Sequence, residues 1–227
     1  MFQHLQAAPP DAILGLNEAF AADTTEGKIN LTTGVYKDAT GITPVLDCVK
    51  QAERRLVETE TSKGYLGIDG MKEFGDLARG LLFGTEHEIT TSGRTATIQA
   101  PGGTGALRVA AEFLQRAFPD ARIWCSRPTW ANHTGIFTAA GFEVDAYGYY
   151  DAAAGTLDAQ ALLDSLAKIP AGDIVCLHAC CHNPTGVDPS IEQWQEMSQV
   201  ISDRGLLPLV DFAYQGFGDG LEADAEG

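Results

Sequence analysis

From about residue 95 onward, short apolar runs rich in β-branched residues alternate with longer stretches whose apolar positions recur at helical spacing. That alternation is the pattern of a mostly parallel sheet covered by helices. Strands are predicted at 95–100, 122–125, 143–147, 173–179 and 206–210. Helices fill the gaps. Ala106, Val109, Ala110, Phe113 and Leu114 make one apolar stripe over 104–117, and 131–140, 158–168 and 189–204 follow suit. Asp188-Pro189 reads as a cap and first-turn proline for the last of these. The first ninety residues read differently. Helices are predicted at 11–22, from Pro44 with Val45, Val49, Ala52 and Leu56 on one face, and after Gly70, where Met71, Phe74, Leu77, Ala78, Leu81 and Leu82 form a stripe expected to be buried. The fold class is α/β, a doubly wound sheet flanked by helices, with a weak boundary near 40–45.

Composition narrows the partners. Lys and Arg number 15 against 31 Asp and Glu, a net charge of −16. An acidic chain lacks the basic surface that displaces counterions from nucleic acid. No apolar run reaches the roughly 18–20 residues of a membrane helix, and the start Met1-Phe2-Gln3-His4-Leu5 lacks a secretory pattern. A cytoplasmic location is the expectation. Five scattered cysteines are an odd count, which disfavours a disulfide framework and predicts buried reduced thiols. A metal site is not expected at Cys176, His178, Cys180, Cys181 and His182, because adjacent thiols leaving a strand point to opposite faces and no second ligand pair has zinc spacing.

Chemistry gathers where predicted strands end. Pro101-Gly102-Gly103-Thr104-Gly105 joins a strand to a helix, where small residues let backbone N–H groups approach an anion at the positive end of the helix dipole. A tight turn without a ligand explains the same residues. Both the Walker and the dinucleotide fingerprints fail, the latter because Arg108 stands where a third glycine belongs. Asp211 closes an apolar strand, where a carboxylate needs a cation, a protonated heterocycle or a capping duty. Tyr214 follows three residues later, Asn183 sits in the turn His182-Asn183-Pro184-Thr185-Gly186, and Trp130 and His133 follow another strand. Four successive junctions thus bring an anion cup, an indole, an amide and a carboxylate to one sheet edge.

A phosphate cup, a flat aromatic, polar groups for a ring hydroxyl and a carboxylate for a ring nitrogen describe a pyridoxal 5'-phosphate pocket. Gly34-Val35-Tyr36-Lys37-Asp38, Tyr65-Leu66-Gly67-Ile68-Asp69-Gly70, Gly102-Gly103-Thr104-Gly105-Ala106-Leu107, Cys180-Cys181-His182-Asn183-Pro184-Thr185-Gly186 and Asp211-Phe212-Ala213-Tyr214-Gln215-Gly216-Phe217 occur in that order. Together they resemble the class I, fold-type I aminotransferases of the aspartate/aromatic subgroup, over essentially the whole chain.

The resemblance implies a transaminase that moves an amino group between an aspartate or aromatic amino acid and a 2-oxo acid such as 2-oxoglutarate. It implies that Asp211 pairs with the protonated pyridine nitrogen with His133 behind it, that Trp130 stacks on the ring, and that Asn183 and Tyr214 bond its phenolic oxygen. Gly102, Gly103 and Thr104 would hold the phosphate, and His178 would stand one layer back. Tyr65 would reach the phosphate of a neighbouring subunit, which implies a homodimer. Gly34 would meet the substrate carboxylate, with Trp130 and Asn183 on the substrate side. It further implies an N-terminal arm and part of a small domain over 1–44, and an incomplete large domain over 45–227. Thr32 and Thr33 depart from the apolar residues usual there. The family's lysine for the cofactor lies beyond the aspartate matched by Asp211, and none of Lys28, Lys37, Lys50, Lys63, Lys72 or Lys168 falls in a matching motif. The expectation is therefore the N-terminal portion of a longer enzyme, without a catalytic residue of its own. The rival reading is a non-catalytic domain that binds a phosphorylated ligand.

Overall fold

The computed structural model describes residues 14–30 and 34–226, in two compact units, Met1–Thr61 and Ser62–Gly227. The start of the first predicted helix, at 11–13, and Thr32 and Thr33 lie outside the described residues. In the first unit, α1 (Leu14–Ala22) ends where the Lys28 ammonium donates to the carbonyls of Phe20 and Asp23, and the same cation lies 4.3 Å over the Phe20 ring. Helix α2 (Asp47–Thr59) starts three residues later than Pro44 suggests. Its first turn carries Asp47, which suits the helix dipole, while Thr43 donates from its hydroxyl to the Tyr36 carbonyl and stays extended. The stripe on α2 is amphipathic, yet none of its residues is buried.

The second unit adds α3 (Lys72–Phe83), α4 (Glu88–Thr91) and α5 (Gly102–Ala117), then β1 (Ile123–Arg127), α6 (Ala131–Ala139) and β2 (Val144–Gly148). A short ribbon, β3 (Tyr150–Asp151) with β4 (Thr156–Leu157), leads to α7 (Ala159–Leu166), β5 (Ile174–His178), α8 (Ile191–Arg204) and β6 (Leu207–Asp211). The main sheet is parallel throughout, in the order β2-β1-β5-β6. Each crossover is helical, as parallel neighbours require. The stripe predicted after Gly70 is on α3, but Leu77 and Leu81 remain exposed and only Gly75 is buried.

Two cores sit on opposite faces of this sheet. On one, Leu107 and Ala111 of α5 and Phe137 of α6 pack with Ile123, Cys125, Ile174 and Cys176. On the other, Leu162 and Leu166 of α7 and Met197 and Ile201 of α8 pack with Tyr147, Val175 and Leu177. Successive residues of β5 therefore feed alternate cores, and all five are buried, as a central parallel strand demands. Helices α5 and α6 cover one side and α7 and α8 the other, which is the doubly wound arrangement expected from the sequence.

Two expectations fail. The 95–100 segment is no strand. A strand exists only through a ladder partner, and here the Gln99 N–H donates to the Asp69 carbonyl while its side-chain oxygen accepts from the Met71 N–H. Gly70 makes this approach possible, since a Cβ there would lie 2.3 Å from that of Gln99, and its φ of +93° suits glycine alone. Asp188 is not the cap of α8 either. That duty falls to Ser190, in a reciprocal capping box with Gln193, and Gly205 closes the helix with a φ of +65°. No helix among the described residues is long and apolar enough to cross a membrane.

Candidate functional site

Because β1, β5 and β6 run parallel, Arg127, His178 and Asp211 all end at one edge, and His178 stands directly beside Asp211 in the ladder. Helix α5 precedes β1 and runs back against the sheet, which brings its N-terminus level with that same edge. Open α/β sheets bind ligands there.

Asp211, the last residue of β6, is 17% exposed and meets the fully buried ring of His133 at 3.0 Å, Nε2 to Oδ2. The other ring nitrogen, Nδ1, pairs with the Thr129 hydroxyl 2.8 Å away, so both nitrogens of the ring are engaged. Thr129 and His133 are one helical turn apart at the start of α6. The imidazole is fixed on its faces as well, stacked on Phe137 at 5.6 Å and meeting the edge of Trp130 at 5.3 Å. One Asp211 oxygen is thus engaged from behind while the carboxylate keeps an outlet at the rim.

A second imidazole pair backs the first. His178 lies 5.1 Å from His133 and 4.3 Å from His182, ring centre to ring centre, and both of its ring nitrogens are buried without a hydrogen-bond partner. Burial, with the neighbouring His133, lowers its pKa to about 4. His182 is fully partnered. Its Nε2 pairs with the Ser126 hydroxyl at 2.9 Å and its Nδ1 with that of Thr185 at 2.8 Å, while Tyr149 stacks on it at 3.9 Å. Burial, then the adjacent His178, takes it down to about 3. Both rings are neutral at physiological pH.

The glycine turn opens α5 as foreseen. Gly102 has a φ of +67°, a Cβ on Gly102 or Gly103 would meet nothing within 4 Å, and Thr104 is exposed beside them. Gly105 serves packing instead, since a Cβ there would press within 3.0 Å of the Pro101 ring. This is an uncapped helix N-terminus, with no side chain accepting from its first N–H groups. Trp130, Asn183 and Tyr214 are half-buried at the same edge. Tyr65 is fully exposed, and Gly34 is an exposed residue of the other unit. The structure therefore gathers Asp211, His133, Trp130 and His178 by contact, and Gly102, Gly103, Thr104, Asn183 and Tyr214 by topology.

Sequence reasoning missed two supports of the site and one contact at the opposite edge of the sheet. Thr129 has a findable signal, a hydroxyl four residues before a histidine on a helix. Asp188 accepts the N–H groups of Cys181 at 2.6 Å and His182 at 2.8 Å, which holds the turn that presents Asn183. Its place before Pro189 disguised that role as a cap. Asp173 accepts from the Arg122 N–H and the Trp124 indole across β1 and β5, a contact 49 residues long that no local pattern betrays.

The cysteines correct one expectation. Cys125, Cys176 and Cys180 are buried, but Cys48 is exposed and Cys181 half-buried. Cys180 and Cys181 follow the end of β5, beyond the strand itself. Two groups close enough to share an ion, Cys125 with His133 and Cys176, and His133 with His178 and Asp211, both converge on His133. Its Nε2 already serves Asp211.

Comparison with known proteins agrees with this geometry. The family model for aminotransferase class I and II matches residues 26–226. The chain belongs to that family. It is 56% identical over its whole length to an aspartate aminotransferase of Escherichia coli K12, of which it covers 57%. It is 49% identical to an aromatic-amino-acid aminotransferase of Pseudomonas aeruginosa over 99% of this chain and 56% of that protein. Among solved structures, an aromatic amino acid aminotransferase of Burkholderia cenocepacia superposes with a TM-score of 0.94 at 50% identity, and one of Burkholderia pseudomallei, covalently bound to pyridoxal phosphate, with 0.93 at 47%. Each match covers 99% of this chain and 56% of the other. The chain thus spans a little over half the length of these relatives.

Proposed function

We propose that this chain forms part of a pyridoxal-phosphate transaminase that exchanges an amino group between an aspartate or aromatic amino acid and a 2-oxo acid such as 2-oxoglutarate. The observation that carries the reading is the Asp211–His133 pair at the sheet edge, an acceptor-only carboxylate fixed from behind and open in front. The donor set fits the cofactor. Asp211 suits a protonated ring nitrogen, the buried and unpartnered His178 adds polar atoms one layer behind, and the open turn at Gly102 and Gly103 leaves room for a phosphate.

When bound, pyridoxal phosphate supplies an electron sink for a proton removed beside the amino group. This chain's residues make that useful by position. Asp211 would hold a proton at the ring nitrogen, with His133 keeping the carboxylate aimed. Trp130 would cover one face of the ring and exclude water. Asn183 and Tyr214 would donate to its phenolic oxygen, and the N–H groups opening α5, with the Thr104 hydroxyl, would take the phosphate. Gly34 would offer backbone to the substrate carboxylate, with Trp130 and Asn183 alongside. The full exposure of Tyr65 suits contact with a second copy, the homodimer of the reading. The domain division at residue 44 and a cytoplasmic location belong to the same proposal.

Amino transfer from aspartate and from phenylalanine to 2-oxoglutarate, followed in the full-length gene product with pyridoxal phosphate, should yield glutamate from both donors. Glutamate from neither donor would overturn the assignment. Borohydride treatment of the 227-residue chain with pyridoxal phosphate, read by peptide mass spectrometry, should give no stoichiometric pyridoxyl adduct at any of its six lysines. A single fully labelled lysine would contradict the absence of a matching motif.

A further inference from the structure

We propose that Cys125, Cys176 and His133 form a buried site for a zinc-group divalent cation, zinc or cadmium, whose occupation withdraws His133 from Asp211. The three side chains converge from β1, β5 and α6. Two positions on from the paired Ile123 and Ile174, Cys125 and Cys176 are neighbours across a parallel ladder and face the same core. One ligand atom from each of the three lies within 4.8 Å of the others, and the Cys176 sulfur is 3.9 Å from Nε2 of His133. A tetrahedral zinc ion with ordinary bond lengths sets sulfur and nitrogen about 3.6 Å apart and two sulfurs about 3.8 Å apart. Side-chain shifts of about an ångström or less therefore close the set.

The donors suit this class of cation. Two thiolates and an imidazole select zinc-group ions over calcium or magnesium, which take oxygen. Each metal–sulfur bond replaces an S–H bond, the two protons pass to solvent, and the metal keeps its oxidation state. The second nitrogen of His133 is already placed for the task. Nδ1 lies 2.8 Å from the Thr129 hydroxyl, so with the ion on Nε2 the ring proton sits on Nδ1 and is donated to that oxygen. The way in is the rim itself, because Asp211 is 17% exposed and stands 3.0 Å from Nε2, an anion at the mouth of a buried site. Nε2 serves either the ion or Asp211, not both. The consequence rests on the cofactor reading above: with His133 taken, Asp211 loses the hydrogen bond that aims it, and pyridoxal phosphate binds more weakly.

The test is ultraviolet titration of the full-length gene product, freed of cofactor, with cadmium chloride. The expected result is a thiolate-to-cadmium charge-transfer band at one equivalent. Cys125→Val and Cys176→Val, apolar replacements of similar size, should each lose at least half of it, whereas joint Cys180→Ala and Cys181→Ala should keep it whole. Cadmium should also raise the Kd for pyridoxal phosphate about tenfold or more in the parent, and leave it at the parent's metal-free value in Cys125→Val, which shows that variant to be folded. No band in the parent, or a full band in either core variant, would overturn the site. Unchanged cofactor affinity beside an intact band would overturn the withdrawal of His133. A protein that bound cadmium as described but no pyridoxal phosphate under any condition would uphold the metal site and count against the cofactor reading.

Discussion

Acidification from pH 7 to pH 4 should destabilise the Ser62–Gly227 unit by several kcal/mol, before most carboxylates are protonated. The cause is the buried pair of neutral rings. His178, at about 4, and His182, at about 3, lie far below the ordinary 6.5, so the unfolded chain binds protons in this range that the folded chain refuses. Unfolding then becomes easier as pH falls, with the full stability present above 6.5 and lost progressively down to the folded values. For His178 alone the difference is about 3 kcal/mol. His133 opposes a charge on His178 while Asp211 favours it, and His178 and His133 in turn oppose a charge on His182, so protonation of one ring hinders the next. Urea unfolding followed by tryptophan fluorescence suits the measurement, since Trp124, Trp130 and Trp194 all belong to this unit. The midpoint should fall steadily from pH 7 to 4.5, and His178→Gln should flatten the trend. A midpoint constant over that interval would show that the rings charge freely in the folded state.

Asp211→Ala should lower kcat/KM of the full-length enzyme by about a thousandfold or more, roughly 4 kcal/mol of transition-state stabilisation. The substitution removes the acceptor that keeps a ring nitrogen protonated and leaves the buried His133 ring without its partner. His133→Asn should cost much less, because Asp211 stays in place and loses only its support from behind. A loss concentrated in kcat, with the alkaline limb of the pH profile displaced to lower pH, marks the difference from simple misfolding. Equal turnover by Asp211→Ala and the parent enzyme would remove the central assignment of the site.

Much of this was legible in the chain. Period-two and period-3.6 patterns located β1, β2, β5 and β6 and their helices, because each is paired and packed within the described residues. The 95–100 run carries the same kind of pattern but has no ladder neighbour, and hydrophobicity alone does not supply one. The stripes on α2 and α3 read as core faces, yet they remain largely exposed, since amphipathicity records what a face can bury and not what covers it. At the site, strand-end residues such as Asp211 were readable from position. Asp188 was not, nor was Asp173 at the opposite edge of the sheet, because their partners are backbone and indole N–H groups whose proximity only the folded chain creates.

The five residues of β5 face two oily interiors in turn, Ile174 and Cys176 one way and Val175 and Leu177 the other. Inserting or deleting a single residue inside that segment would turn the side chains beyond it to the wrong compartment and displace His178 from its place beside Asp211. Substitutions of matched size should survive there, while changes in length should not.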